Sequence, residues 1–298
     1  MTDATTTTDA EPSDAARTRS GDPAELHPHR GLLHDVWVIA RRGLLHMRRQ
    51  PEQLSDATIQ PIMFVVMFAY VFGGAIAIPG ADAGSSQAYR EFLMGGIMAQ
   101  TLVFTAFGVA LSIANDRKNQ SVDRFRSLPI ANGAVLGGHA VANVIKALLP
   151  IALMSITGYV IGWRIRGTLV DTISAYALML AFAFAMIWIG VLLGSLASTP
   201  EGVNGIAFVV LFPLTFVAST FVPLSSMPQP LQTIAAWNPI TTLADALRDL
   251  FGNPNTPIQP GDPWSIANPV TYTWIWIITI FVICAPTAVR VYRRSVER

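Results

Sequence analysis

The chain has 298 residues, of which 52% are hydrophobic and 13% are charged, about half the charged share of a typical soluble domain. The formal net charge of +1 gives no reason to expect a nucleic-acid partner. Cys284 is the single cysteine, which excludes an intrachain disulfide and a cysteine-based metal cluster. Long apolar runs and a mean hydropathy of +0.45 instead predict an all-α membrane protein.

The first fifty residues divide into two regions by composition. Residues 1–30 are rich in Thr, Ala, Asp, Ser and Pro, which predicts a disordered tail; no basic region runs directly into an apolar stretch, as a secretory signal would. Residues 31–50 place apolar side chains at three- and four-residue spacing, which predicts an amphipathic helix on the membrane surface. A soluble helix that packs on a partner protein is the alternative. The predicted membrane-interface residues are Trp37, Arg41, Arg42, Arg48 and Arg49.

Six apolar segments are each long enough to cross about 30 Å of hydrocarbon, which takes about 20 helical residues. They are Thr58–Ile78, Phe92–Ala114, Val141–Trp163, Thr172–Ser198, Gly202–Val222 and Pro269–Val289. Their residues lack a two-residue alternation, which disfavours a β-barrel. The sequence therefore predicts a six-span transmembrane domain over residues 51–298.

The distribution of Lys and Arg predicts the orientation of the spans. Most of these residues flank the first span, the loop between the second and third spans, and the end of the sixth span. The loops on the other side hold four: Arg90, Arg164, Arg166 and Arg248. Because cytoplasmic loops carry the excess of positive charge, both termini are expected in the cytoplasm.

Lys146 is the only formal charge inside a predicted span. One interpretation makes it a substrate or proton site. The other lets its long stem reach the inner headgroups, because it lies near the cytoplasmic start of the third span. Asp, Glu and His are missing from all six spans, which disfavours an ion-coupled carrier.

The loop at residues 115–130 combines mixed charge with one apolar face formed by Val122, Phe125 and Leu128. This pattern favours a short helix that docks into a groove on a soluble partner, although a solvated loop is the alternative. On the opposite side, residues 221–252 are semi-apolar and interrupted by prolines. They predict two short helices, 228–236 and 240–250, that are re-entrant or lie at the interface; a plain linker is the alternative.

At these two segments the chain resembles the ABC-2 type permeases, particularly the daunorubicin-resistance (DrrB-like) drug-exporter branch. The specific marks are residues 123–130 (DRFRSLPI) and the proline-rich stretch that ends in Asn238–Pro239, with Arg248 nine residues further on. The resemblance runs from about residue 31 to the end. One departure is Gln120–Ser121, where family members commonly have a glycine followed by a small residue.

The resemblance implies that the 115–130 loop is a coupling helix seated in a separate ATPase subunit. Carried over by position, the ATPase-coupling residues are Asp116, Asp123, Arg124, Phe125 and Arg126. It also implies two copies of that ATPase, which holds ATP and Mg, and a second permease, identical or related. The expected location is a bacterial plasma membrane.

The resemblance further suggests a pathway at the permease–permease interface, lined by the second and fifth spans. The candidate lining residues are Thr101, Phe104, Phe107, Phe212 and Phe216, for which packing against lipid or helices is the alternative. The chain has no phosphate-binding loop of its own and no metal-ligand spacing, so we expect no cofactor, no metal and no catalysis by this chain. A drug, polyketide or lipid-like cargo is expected. A channel or scaffold is the competing function, followed by a secondary carrier.

Overall fold

A computed structural model describes residues 51–82, 84–118, 132–197 and 199–296, all within one compact unit. Side chains are described for residues 59–82, 84–115, 118, 143–197 and 199–291. The regular secondary structure of these ranges is entirely helical. The predicted interface helix, with Trp37, Arg41, Arg42, Arg48 and Arg49, lies outside the described residues.

The described residues form nine α-helices and one short 3₁₀ helix at Leu224–Ser226. In chain order they are α1 (Pro51–Val71), α2 (Ser86–Lys118), α3 (Asn132–Ile161), α4 (Leu169–Leu196), α5 (Pro200–Phe216), α6 (Gln229–Ala236), α7 (Pro239–Phe251), α8 (Trp264–Ala267) and α9 (Pro269–Val296). Each of the six predicted spans overlaps one helix, and the two predicted short helices correspond to α6 and α7.

Four of these helices are long and apolar enough to cross a membrane, with apolar stretches at Ser86–Asn115, Asn143–Ile161, Leu169–Leu196 and Pro269–Val291. Two further apolar helices are shorter, at Ile59–Val71 and Pro200–Phe216. The predicted helical fold is therefore confirmed for the described residues, and its apolar helices are consistent with a membrane protein.

The two shorter helices end before their predicted limits. Helix α1 stops at Val71 rather than Ile78, just before Gly73 and Gly74, which weaken helical conformation. Helix α5 stops at Phe216 rather than Val222, three residues after Pro213. The backbone beyond α5 turns in to pack against α2, where Thr220 approaches Gly96.

Helices α2 and α4 pack along each other at the centre of the domain. A Cβ atom added to Gly190 would lie 2.4 Å from the Ala106 carbonyl oxygen, and one added to Gly194 would lie 2.6 Å from that of Ala110. Small residues four apart on both helices therefore bring the two backbones together. This is the usual basis of helix association in lipid, where apolar burial alone gives little driving force.

Proline divides the helices into two groups. Helices α1, α3, α5 and α9 each contain an internal proline, whereas α2 and α4 contain none. Helix α2, with 33 residues, is about 50 Å long at 1.5 Å per residue. Helix α7 lies against α2, α4 and α9, so the proline-free pair and α7 form the centre of the fold.

Candidate functional site

The candidate pathway residues of α2 are largely enclosed within the chain. Thr101 is buried, and its hydroxyl donates to the Ile97 carbonyl at 2.8 Å, one turn earlier. Phe107 is partly buried and packs against the cluster that contains Ala110 and Val203 of α5. Phe104 is partly buried too. In this conformation Thr101 therefore does not line an open surface.

The candidate residues of α5 lie on an exposed face. Phe212 and Phe216 are 40% and 54% exposed, and Phe208, one turn before Phe212, is 65% exposed. The three rings stack in sequence, with centroids 5.3 and 5.1 Å apart. Gly205 continues this face, since a Cβ atom added there would meet nothing within 4 Å. The structure thus places an open aromatic surface on α5.

The α5 stack continues inward as one aromatic row that reaches α1. Phe216 contacts Phe221 at 6.1 Å between ring centroids, and Phe221 stacks on Phe68 of α1 at 4.2 Å. The sequence analysis selected Phe212 and Phe216 but missed Phe208, Phe221 and Phe68. The four-residue spacing of Phe208, Phe212 and Phe216 was the signal available for the first of these.

The second arrangement of interest is the burial of Arg248 in the last turn of α7. Its guanidinium is inaccessible to solvent and lies 3.5 Å from the centroid of the Phe92 ring of α2. Its Nε donates to the Phe92 carbonyl at 2.9 Å, and Nη2 donates to the Ser219 carbonyl at 2.6 Å. Nη1 pairs with Asp245 Oδ1 at 2.6 Å and also donates to Ser219 Oγ at 3.0 Å. One side chain therefore joins α7, α2 and the segment after α5.

Two adjacent glycines allow α7 and the segment after α5 to approach α2 this closely. A Cβ atom on Gly95 would lie 2.9 Å from Arg248 Cγ and 3.1 Å from the Ala244 carbonyl oxygen. A Cβ atom on Gly96 would overlap the backbone of Thr220, whose carbonyl oxygen would be 2.1 Å away. The backbones of α7 and of the segment after α5 thus both contact α2 at Gly95–Gly96.

Asn238 fixes the start of α7 and ties it to α5. As the N-cap residue, its Oδ1 accepts from the Ile240 amide at 2.9 Å, and Pro239 occupies the first helical position. Its Nδ2 donates to the carbonyls of Leu214 and Val217 at 2.7 and 2.6 Å. These carbonyls lie at the end of α5, where no further helical turn is available to pair them.

Replacing Asn238 with alanine is expected to lower the free energy of unfolding by about 2 kcal/mol, since the cap and both carbonyl bonds are lost. Unfolding of the purified chain in dodecyl maltoside with increasing SDS, followed by tryptophan fluorescence, measures this. Asn268→Ala is the matched control, because the Asn268 side chain also precedes a proline but makes only one described hydrogen bond, an exposed one of 3.4 Å. Equal midpoints for the two variants would contradict the role of Asn238.

Polar contacts also join α2, the α3–α4 turn and the end of α7. Gln87 donates to the Gly162 carbonyl at 2.7 Å, and Arg166 pairs with the buried Glu91 at 2.8 Å. Trp163 Nε1 donates to Asn253 Oδ1 at 2.6 Å just beyond α7. This end of α2 is therefore held firmly by its neighbours.

The opposite end of α2 leads toward the predicted coupling segment. Asp116 lies in the last turn of α2, and its side chain is outside the described set. Asp123, Arg124, Phe125 and Arg126 lie in residues 119–131, which the structure does not describe. Among the described residues, no group of three His, Cys, Asp or Glu side chains could hold a metal ion.

Residues 34–251 match the family model described as "ABC-2 type transporter". The chain belongs to the ABC-2 type transporter family. The matched region ends at Phe251, the last residue of α7, so it includes the Arg248 contacts, the aromatic surface of α5 and the predicted coupling segment. The chain is thus a membrane component of the ABC-2 type.

Individual ABC-2 relatives match over most of the chain. The daunorubicin resistance ABC transporter permease protein DrrB1 of Streptomyces coeruleorubidus is 32% identical over 77% of this chain and 77% of its own length. The probable doxorubicin resistance permease DrrC of Mycobacterium tuberculosis is 23% identical over 92% of this chain and 93% of its own. The inner membrane transport permease YadH of Escherichia coli is 20% identical over 73% of this chain and 84% of its own length.

Proposed function

We propose that the chain is the transmembrane permease subunit of an ATP-driven ABC exporter that moves an amphiphilic drug, polyketide or lipid-like molecule out of the cytoplasm. The observation that carries this proposal is the family match over residues 34–251, together with 32% identity to a daunorubicin resistance permease. The exposed aromatic surface of α5 suits an amphiphilic cargo.

The proposed topology has six spans, with both termini in the cytoplasm of a bacterium and the chain in its plasma membrane. Helices α1 and α5 supply the two additional spans beyond the four long ones, with the irregular residues after Phe216 completing the second of them. Lys118 is the last residue of α2 and Arg290 lies near the C-terminal end of α9, and both side chains are exposed. Their positive charges support a cytoplasmic location for these ends of the helices. Helices α6 and α7 then form a re-entrant hairpin at the outer side.

The re-entrant placement is supported by how α7 satisfies its polar groups. Helix α7 is buried along most of its length, and Asp245 and Arg248 pair with each other inside the protein. Non-helical backbone and charge are tolerated at membrane depth where protein covers them. The hairpin would therefore close the outer side of the domain without exposing charge to lipid.

The energy would come from a separate ATPase, present in two copies and holding ATP and Mg. Asp116, Asp123, Arg124, Phe125 and Arg126 are proposed to dock into it. Closure of the two ATPases would push on the 115–130 segment and shift the spans between two states.

The pathway is proposed to lie between this permease and a second one, identical or related. Phe212 and Phe216 would face it from the exposed surface of α5, with Phe107 at its edge. Thr101 and Phe104 would reach it only in a state where α5 moves away from α2. Membrane lipid covers the remaining apolar surface.

The test is a detergent pull-down of the tagged chain from its host membrane, with nucleotide-binding partners identified by mass spectrometry. Wild type is expected to recover an ABC ATPase, and Arg124→Glu/Phe125→Ala is expected to recover at least tenfold less, because a charge reversal and an apolar loss disrupt one docking face. Arg90→Glu/Ile258→Ala, which changes two residues at the proposed outer side and away from the aromatic surface of α5, is the matched control.

The outcomes separate the parts of the proposal. If the coupling variant retains the ATPase, the complex stands and the docking residues are wrong. If wild type recovers no ATPase while a related exporter does so under the same conditions, the exporter function is contradicted. An ATP-independent channel or scaffold then becomes the better description, followed by a secondary carrier.

A further inference from the structure

Arg164 lies in the turn between α3 and α4, where its contacts restrain its side chain. Helix α3 ends at Ile161, and Gly162 adopts a φ of +104°, which reverses the chain. The Nη1 atom of Arg164 donates to the carbonyls of Tyr159 and Trp163 at 2.8 and 2.7 Å. The guanidinium lies 5.3 Å from the centroid of the Tyr159 ring. Arg164 is exposed, yet its position is restrained by backbone atoms and an aromatic ring.

A second arginine, Arg90, is connected to the same turn. In the first turns of α2, its Nε donates to the Ser86 carbonyl at 3.1 Å and its Nη2 to Gln87 Oε1 at 3.4 Å. Gln87 in turn donates to the Gly162 carbonyl at 2.7 Å. Since Gly162 also donates to the Tyr159 carbonyl at 3.3 Å, one continuous set of hydrogen bonds runs from Arg90 to Arg164.

The positive charges of Arg90 and Arg164 are not neutralised by a carboxylate in the described part of the chain. Their described partners are carbonyl and amide oxygens. Two carboxylates near them in the sequence are engaged elsewhere: Glu91 pairs with Arg166, and Asp171 accepts the Thr168 amide and hydroxyl in a capping box. A guanidinium has five N–H donors, so each arginine retains donors for an anion.

Exposed apolar side chains flank Arg164 in the sequence, at the end of α3 and the start of α4. Val160 is 81% exposed, Leu169 76%, Val170 71% and Ile173 60%. In the proposed topology these surfaces would face hydrocarbon. The charges and the apolar surface therefore meet where the headgroups of a bilayer meet its acyl chains.

We propose that Arg90 and Arg164 bind the phosphodiester of an anionic phospholipid, of the phosphatidylglycerol type, whose acyl chains lie along Val160, Leu169 and Ile173. Guanidinium groups bind phosphate oxygens through charge-assisted, often bidentate hydrogen bonds. A lipid with net negative charge compensates both arginines better than a zwitterionic one, whose cationic headgroup would lie near them. The site rests on the proposed function only for its assignment to the outer leaflet; lipid binding itself needs no ATPase.

The test is native mass spectrometry of the purified full chain in micelles that contain palmitoyl-oleoyl phosphatidylglycerol or the same amount of the phosphatidylcholine. Wild type is expected to bind phosphatidylglycerol about tenfold more tightly than phosphatidylcholine, and Arg90→Gln/Arg164→Gln is expected to lose this preference. Lys118→Gln/Arg290→Gln removes two exposed charges at the other end of the helices and should retain it. Arg164→Lys, which keeps the charge without the planar fork, should give an intermediate preference.

Three results would overturn the proposal. The first is equal binding of the two lipids by wild type, and the second is an equal loss in the Lys118/Arg290 control. The third is displacement of bound phosphatidylglycerol by inorganic phosphate at a concentration equal to that of the lipid, which would identify a phosphate site rather than a lipid site. The thermal unfolding midpoint in phosphatidylcholine micelles establishes that each variant is folded. If the double variant is not folded, Arg164→Lys alone tests the proposal. An unchanged preference for phosphatidylglycerol in Arg164→Lys would then contradict the role of Arg164.

Discussion

Replacing Arg248 with methionine is expected to lower the free energy of unfolding by about 3–5 kcal/mol, because the change leaves a buried carboxylate without its cation. Asp245 is 5% exposed and pairs with Arg248 at 2.6 Å. The carbonyls of Phe92 and Ser219 would lose their donor as well. A loss of this size consumes much of the stability of a typical domain.

Unfolding of the purified variant in dodecyl maltoside with increasing SDS measures the effect. Arg290→Met is the matched control, since Arg290 is exposed on α9 and substitutions at exposed positions usually change stability by less than about 0.5 kcal/mol. Asp245→Asn/Arg248→Met should recover part of the loss, because it removes the unpaired charge but restores neither carbonyl bond. Equal stability of Arg248→Met and Arg290→Met would contradict the contacts of Arg248.

Replacing Gly96 with alanine is expected to destabilise the protein by about 1–3 kcal/mol, the usual cost of forcing atoms into a closely packed site. The new methyl group would lie 2.1 Å from the Thr220 carbonyl oxygen and 2.6 Å from its Cα. Both are backbone atoms, so a rotamer change cannot relieve the overlap. The segment after α5 must move away from α2 instead.

Gly108→Ala provides a matched control on the same helix. A Cβ atom at Gly108 meets nothing within 4 Å, and alanine is favoured over glycine inside a helix by about 0.5–1 kcal/mol. The two identical substitutions should therefore change stability in opposite directions in the same SDS titration. A stabilising effect at both positions would show that the contact between Gly96 and Thr220 is not closely packed.

The helices themselves were predictable from the sequence. Long apolar runs correspond to α2, α3, α4 and α9, and the prolines around Trp237–Asn238–Pro239 separate α6 from α7 much as predicted. These features depend on local sequence alone, because a run of apolar residues or a proline acts on its own segment.

The buried faces of the helices could not be predicted in the same way. In a soluble helix the polar side marks the surface, but in these spans the faces toward lipid and toward neighbouring helices are both apolar. Thr101 was therefore selected for the pathway, although the structure buries it inside the chain. Phe212 and Phe216 lie on an exposed surface, and which partner covers that surface is a property of the assembly rather than of the chain.

Arg248 illustrates a second limit of sequence analysis. It was counted with the charges of the outer loops, and a charge count cannot distinguish an exposed arginine from a buried one. Its burial depends on residues far away in the chain, namely Phe92, Gly95 and Ser219. Only the spacing from Asn238–Pro239, noted as a family mark, pointed to this residue.

The absence of proline from α2 has a mechanical consequence. Helix α2 is about 50 Å long and has no proline at which it could kink. It is therefore expected to respond to a force at one end by tilting or sliding as a whole, rather than by bending in the middle. At Gly95–Gly96, where paired glycines weaken helical conformation, Arg248 and Thr220 pack against the helix. Under the proposed function, a push near Lys118 would therefore move α2 as one body, and the contacts of Gln87 and Glu91 with the α3–α4 turn would have to shift with it.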